Sequence, residues 1–246
     1  MIFFCFSSKD RVQIVEAILF HITNYELPVW YDRYNMLMGD NRDYKNFEEG
    51  IEQCKYAIVI VSPNSIESDC AQEEMKLIHK RHMTERMTIF PIFYNIKACA
   101  LPENLRWMTK LVYKELDGSI DARGTCNHII CRVLLDELEK YKIRSINDFF
   151  ERYDRNSALC YITKLLKAYC QISDDNRDAK IALLYSVCIY IREYYNLNGT
   201  PNFYYTGVDR LFDETRLHLP IDIRETLIFE RLTLLLINVA FFGYIS

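Results

Sequence analysis

Apolar and polar positions follow two different rhythms along this chain. Up to about residue 142, short runs that are apolar throughout alternate with stretches of helical spacing. IFFCF at 2–6, LPVWY at 27–31, YAIVIVS at 56–62 and MTIFPIFYNI at 87–96 predict four strands, and KLVYKEL at 110–116 a short fifth. Between the first two, Val12, Val15, Ile18, Leu19 and Ile22 recur at the spacing of one helix face. Segments 44–54, 73–82 and 126–141 predict three further helices. Strands with no polar face, separated by helices, imply a parallel sheet covered on both sides. With right-handed crossovers the expectation is an α/β, flavodoxin-like parallel five-stranded sheet. Ligands of such sheets sit beyond the carboxyl ends of the strands, which here are the segments just after Phe6, Tyr31, Ser62 and Tyr94.

From about Ser145 the strand-like runs stop. Amphipathic segments at 146–155, 157–172, 176–195 and 222–242 predict a small all-helical region, broken at Asp174-Asp175-Asn176 and at NGTPN (198–202), the densest turn chemistry in the chain. The division expected is therefore 1–142 and 145–246, with the role of the second part, assembly or regulation, left open. The longest apolar stretch, Leu232 to Ile245, contains Asn238 and is shorter than the ~20 residues a bilayer span needs. It reads as a buried helix and not as a membrane anchor.

Composition narrows the class. Half of the 246 residues are hydrophobic and 26% are charged, with only 7 Gly and 6 Pro, which excludes collagen-like, low-complexity and disordered chains. The net charge of -4 is spread evenly: residues 1–144 hold 19 Lys/Arg against 21 Asp/Glu, and the remainder 11 against 13. No basic arm exists for nucleic acid. The 9 Cys are scattered without a CxxC pair, and the start of the chain lacks the charged and small-residue regions of a secretory signal, so a cytoplasmic location is expected.

Four segments at predicted strand ends carry a resemblance to a family. They are FCFSSKD (4–10), VWYDRYNMLMGD (29–40) with Asp32 and Gly39, IEQCKYAIVIVSPNSIESDCAQEE (51–74) with Cys70 three residues before Glu73, and FPIFY (90–94). Together, in this order, they resemble the boxes of a TIR (Toll/interleukin-1 receptor) domain over residues 1–142. The resemblance implies one of two trades. Many TIR domains break the nicotinamide–ribose bond of NAD; others are silent adaptors, or effectors that mimic host TIR domains, acting through TIR–TIR contacts.

The enzymatic members use a glutamate in the helix after the third strand, and the Cys70 spacing matches it to Glu73, with Glu74 beside it as the alternative. The resemblance also implies a substrate pocket lined by Phe6, Ser7 and Ser8, with Asp32 and Gly39 in the loop that covers it. Active relatives often pair an aromatic with Arg at the positions of Phe6 and Ser7, and place Trp four residues before the glutamate. Here Ser7 replaces the Arg and Asp69 the Trp. Trp30 reads as core, and Gly39 as a residue with positive φ.

Other constellations read as structural. His79 and His82 are one turn apart without further ligands nearby, and Cys126, His128 and Cys131 lack zinc spacing, so no metal is expected. A receiver-type phosphoacceptor is excluded because Ser62-Pro63 stands where its Asp would be. No prosthetic group is expected; NAD would be substrate. By the resemblance, the products would be nicotinamide with ADP-ribose or a cyclic isomer, an immune signal of the Thoeris antiviral kind read by a separate effector, from a protein that self-associates through its TIR domain.

Overall fold

A computed structural model describes residues 1–25, 27–84, 86–118, 122–153, 155–198 and 223–242. Five parallel strands form one sheet: β1 Ile2–Cys5, β2 Val29–Trp30, β3 Tyr56–Val61, β4 Thr88–Tyr94 and β5 Lys114–Leu116. Their order is β2-β1-β3-β4-β5, the flavodoxin type read from the sequence. β1 and β3 are buried along their whole length, as strands covered on both faces must be. The fifth strand is shorter than its apolar run, because Glu103–Lys110 coils into a 3-10 segment first.

The helices fill in the crossovers. A π-turn at Arg11–Val15 leads into α1, Glu16–Thr23. The loop after β2 contains the single-turn α2, Asp32–Asn35, and a π-helical segment, Tyr44–Ile51, leads to β3. After β3 come α3, Pro63–Ile66, and α4, Asp69–Met83. α4 begins four residues earlier than its apolar spacing predicts, because the Ser68 hydroxyl caps it by accepting from the Ala71 N–H. Ser62 and Ser65 likewise form a reciprocal capping box at the start of α3.

Alternation along the strands divides the core. Phe3 and Cys5 of β1 and Ala57, Val59 and Val61 of β3 pack with Ala71, Met75 and Ile78 of α4 and with Trp30. Trp30 is a core residue, stacked on Phe3 with ring centroids 5.0 Å apart. Gly50 passes directly beneath that stack.

α5, Ala122–Leu138, follows the last strand, and Cys126 Sγ lies 3.7 Å from the Ile18 carbonyl of α1. The chain divides into two compact units, Met1–Ile129 and Ile130–Ser246. The division falls inside α5, earlier than the 142–145 boundary expected from the change in texture. In the second unit α6 (Ile146–Tyr153), α7 (Cys160–Gln171), α8 (Arg177–Asn198) and α9 (Ile223–Phe242) are all helical, with Leu166, Leu184, Ile191, Phe229 and Leu232 buried among them. Residues 199–202 of NGTPN and 243–245 of the final apolar stretch lie outside the described residues. Among the described residues no helix is long and apolar enough to cross a membrane.

A Cβ at position 50 would stand 2.8 Å from Phe3 Cε2 and 3.1 Å from the Trp30 ring. Gly50→Ala is therefore expected to lower stability by about 1–3 kcal/mol, read as a lower urea midpoint with an unchanged slope.

Candidate active site

Chain order reverses between β1 and β3, so their crossovers diverge at the carboxyl edge of the sheet, where sheets of this class bind ligands. Two clusters of side chains stand at that edge.

The first is built from the turn after β1 and the end of β2. Arg11 is folded back so that its guanidinium lies 4.9 Å from the centre of the Phe6 ring and 5.2 Å from that of Tyr31. It donates to both carboxylate oxygens of Asp32, Nη1 reaching Oδ1 at 2.7 Å, and Nη1 also reaches the Tyr31 hydroxyl at 2.7 Å. Phe6 and Tyr31 stack at 5.8 Å. The Asp32 carboxylate pushes the Arg11 guanidinium above its ordinary value, and burial pushes the Tyr31 phenol up. A planar, charged fork held between two rings and a carboxylate is the setting in which Arg, and not Lys, is favoured. The basic partner of Phe6, missing at Ser7, is thus supplied by Arg11.

Ser7 and Ser8 differ in exposure. Ser7 is buried and caps the Ser8–Asp10 turn through the Lys9 N–H, while Ser8 is exposed. The same turn carries Asp10, which is buried and accepts from the Ser62 hydroxyl at 2.5 Å and the Asn64 amide at 2.6 Å. Those bonds tie the β1 loop to the β3 loop. Gly39 has φ +100°, as expected, and turns a loop that leaves Leu37 and Met38 in solvent.

The second cluster places the two adjacent glutamates differently. Glu73 is exposed; the carboxylate held against the carboxyl edge is Glu74, which is 6% exposed. Helical geometry is the reason. Ala71, Met75 and Ile78 form the buried stripe of α4, and position 74 falls inside it while position 73 lies about 100° around the helix. Asp69 is also exposed, in the first turn of α4. That apolar stripe was the signal in the sequence that would have selected Glu74.

Glu74 Oε1 accepts from Asn46 Nδ2 at 2.8 Å and lies 3.6 Å from Cys70 Sγ. Cys5, the last residue of β1, lies beside it with Sγ 3.8 Å from the Ala71 carbonyl. Burial pushes the Glu74 carboxyl up to about 7, against the pull of the neighbouring thiols and of Arg42. Burial, together with the charge of Glu74, also keeps both cysteines as thiols. Among the described residues no group of His, Cys, Asp and Glu is arranged to hold a metal. The site is therefore a nearly dry carboxylate that ionises close to neutral pH.

With this geometry in view, comparison with known proteins identifies the class. The TIR domain family model matches residues 2–128, and the chain belongs to that family. Among curated relatives it is 29% identical over 94 residues to the 2' cyclic ADP-D-ribose synthase BtTIR of Bacteroides thetaiotaomicron, covering 38% of this chain and 32% of that protein. It is 25% identical over 95 residues to the NAD(+) hydrolase TcpA of Theionarchaea archaeon, covering 39% and 29%. With the NAD(+) hydrolase TcpC of Escherichia coli O6:H1 it shares 27% over 97 residues, covering 39% and 31%. The matched stretch spans about a third of the length of these relatives.

Burying an ionised carboxylate opposes folding. Above pH 7 Glu74 is charged in both folded and unfolded chains, and the folded state bears the desolvation. As pH falls from about 7 toward the ordinary value of 4.5, the folded state takes up the proton first and gains stability. Glu74→Gln should accordingly stabilise the protein by about 1–3 kcal/mol at pH 8 and by little at pH 4.5, read from urea unfolding at the two pH values. Glu73→Gln should change neither.

Proposed function

We propose that this protein consumes NAD, breaking the bond between nicotinamide and ribose, with Glu74 as the carboxylate that carries the reaction. The observation that supports this reading most directly is a buried carboxylate at the carboxyl edge of a TIR sheet, bonded to Asn46. One feature of the sequence supports Glu74, in that it is followed by the apolar Met75, whereas the three-residue spacing from Cys70 favours Glu73. The names of the relatives, cyclic ADP-ribose synthases and NAD hydrolases, point to the same substrate.

The chemistry asks little of the protein. Nicotinamide is bound to ribose through a positively charged ring nitrogen, so it leaves as a neutral base without an acid to protonate it. The bond breaks toward an oxocarbenium-like sugar, and an anion beside that sugar lowers the barrier. In water such an ion pair is worth about 1 kcal/mol, and several times more where water is excluded. A carboxylate withdrawn from solvent, as Glu74 is, has that advantage once ionised. Water attack then yields ADP-ribose, and attack by a hydroxyl of the same molecule yields a cyclic isomer. We assign the product the role of an immune signal in antiviral defence, of the Thoeris kind, sensed by a separate effector in the cytoplasm.

The second reading is a non-catalytic TIR interaction module. One observation favours it: Tyr34, Leu37 and Met38 stand exposed on the loop after β2, an apolar surface suited to contact with another TIR domain. Neither Asp69 nor Cys70 supplies an aromatic wall for a dinucleotide.

Purified protein incubated with NAD, with nicotinamide followed by chromatography, separates the two. Turnover is expected, lost by at least about a hundredfold in Glu74→Gln and retained in Glu73→Gln. Its absence in the unmodified protein, even at high concentration, supports the module. Because only the ionised carboxylate stabilises a cation, the rate should rise with pH up to about 7 and then level off. Turnover per subunit should also increase with protein concentration, since self-association is part of this reading; a flat profile over a hundredfold dilution contradicts it.

A further inference from the structure

Asn46 occupies a core position in the π-helical segment Tyr44–Ile51 and is 3% exposed. Its Nδ2 donates to Glu74, but its Oδ1 is buried with no hydrogen-bond partner among the described residues. An amide with one polar end unpaired out of water is a net cost to folding, and an apolar residue of the same volume would avoid it. Stability therefore does not account for an Asn at this position. Its bond to Glu74 does.

The groups that face Glu74 differ sharply in what they offer. Cys5 from β1 and Cys70 from α4 itself present thiols, which are weak donors. Asp32, at the end of β2, repels its charge, and Arg42, in the loop before the π-helical segment, attracts it without a hydrogen bond among those described. Asn46 gives the carboxylate its one full-strength donor among the described residues, at 2.8 Å. Its neutrality matters as much as its reach. A Lys or Arg there would ionise Glu74 but cancel the negative charge that a developing sugar cation must meet, whereas an apolar side chain would leave the acid protonated and free to rotate.

We propose that Asn46 is a positioning residue for the reaction assigned above, holding the Glu74 carboxylate in one orientation and favouring its ionised form. The inference rests on the reading of Glu74 as the reacting carboxylate.

The test compares the unmodified protein with Asn46→Leu and Asn46→Ala across pH 5–9. Loss of the donor should move the acidic limb of the NAD turnover profile up by roughly one pH unit, lowering kcat at pH 7 about tenfold while KM changes less than about twofold. A merely structural Asn46 would lower the melting temperature and leave the limb in place, which would overturn the proposal. Should Asn46→Leu fail to fold, Asn46→Ala, which removes the donor without adding bulk or charge, keeps the test: the same rise of the limb is expected, and a limb left in place overturns the proposal. If the unmodified protein turns over no NAD at any pH, the reading of Glu74 falls, and the carboxyl-carbon titration in 13C-glutamate-labelled protein decides separately. The Glu74 resonance, assigned by its loss in Glu74→Gln, should titrate higher in Asn46→Leu; an unchanged titration overturns the role of Asn46.

Discussion

A carboxylate shut out of water at the end of a parallel sheet is the constraint around which the rest of the first unit is arranged. Glu74 is held there because the stripe that carries it, Ala71, Met75 and Ile78, is what seats α4 on β1 and β3. Turning the helix to expose Glu74 would expose that stripe as well, at roughly 1.5–3 kcal/mol for each large side chain. The packing of the core therefore maintains a group that is unfavourable on its own account, and the thiols and amide around it offset only part of that cost. Such a group is not explained by stability, and its placement at the topological switch point fits the role proposed for it.

The neighbouring cluster obeys a different logic. Arg11 is a cation whose charge and donors are satisfied by Asp32, Tyr31 and two aromatic faces. It joins the start of the first helix to the loop after β2, while Asp10 joins the same turn to the loop after β3. The short turn after β1 is thereby anchored on both sides. Rigid support of this kind is what a site on loops otherwise lacks.

Sequence reasoning locates the helix that carries the two glutamates but not which of them is buried. Strand runs such as YAIVIVS have no polar face, so the parallel sheet, its strand count and its order can be read from the chain alone. Trp30 as core and Gly39 at positive φ are equally legible, because each rests on a local property of the residue. Distance along the chain to Cys70 selects Glu73. Angular position on the helix, which the apolar stripe defines, instead turns Glu74 toward the sheet. Ser7 and Ser8 group with Phe6 by adjacency, yet the turn after β1 leaves Phe6 half-buried, Ser7 buried and Ser8 exposed.

By itself the sequence determined the α/β architecture, the helical character of the second unit and the edge of the sheet where a ligand would sit. Those properties depend on periodicity and on short-range conformational preference, which are written into consecutive residues. Only the tertiary structure decided that Arg11 takes up the place beside Phe6, that Asn46 meets Glu74 across 28 positions, and that Asp10 binds Ser62. Those pairings depend on where separate segments are brought together by packing, and no spacing within one segment encodes them.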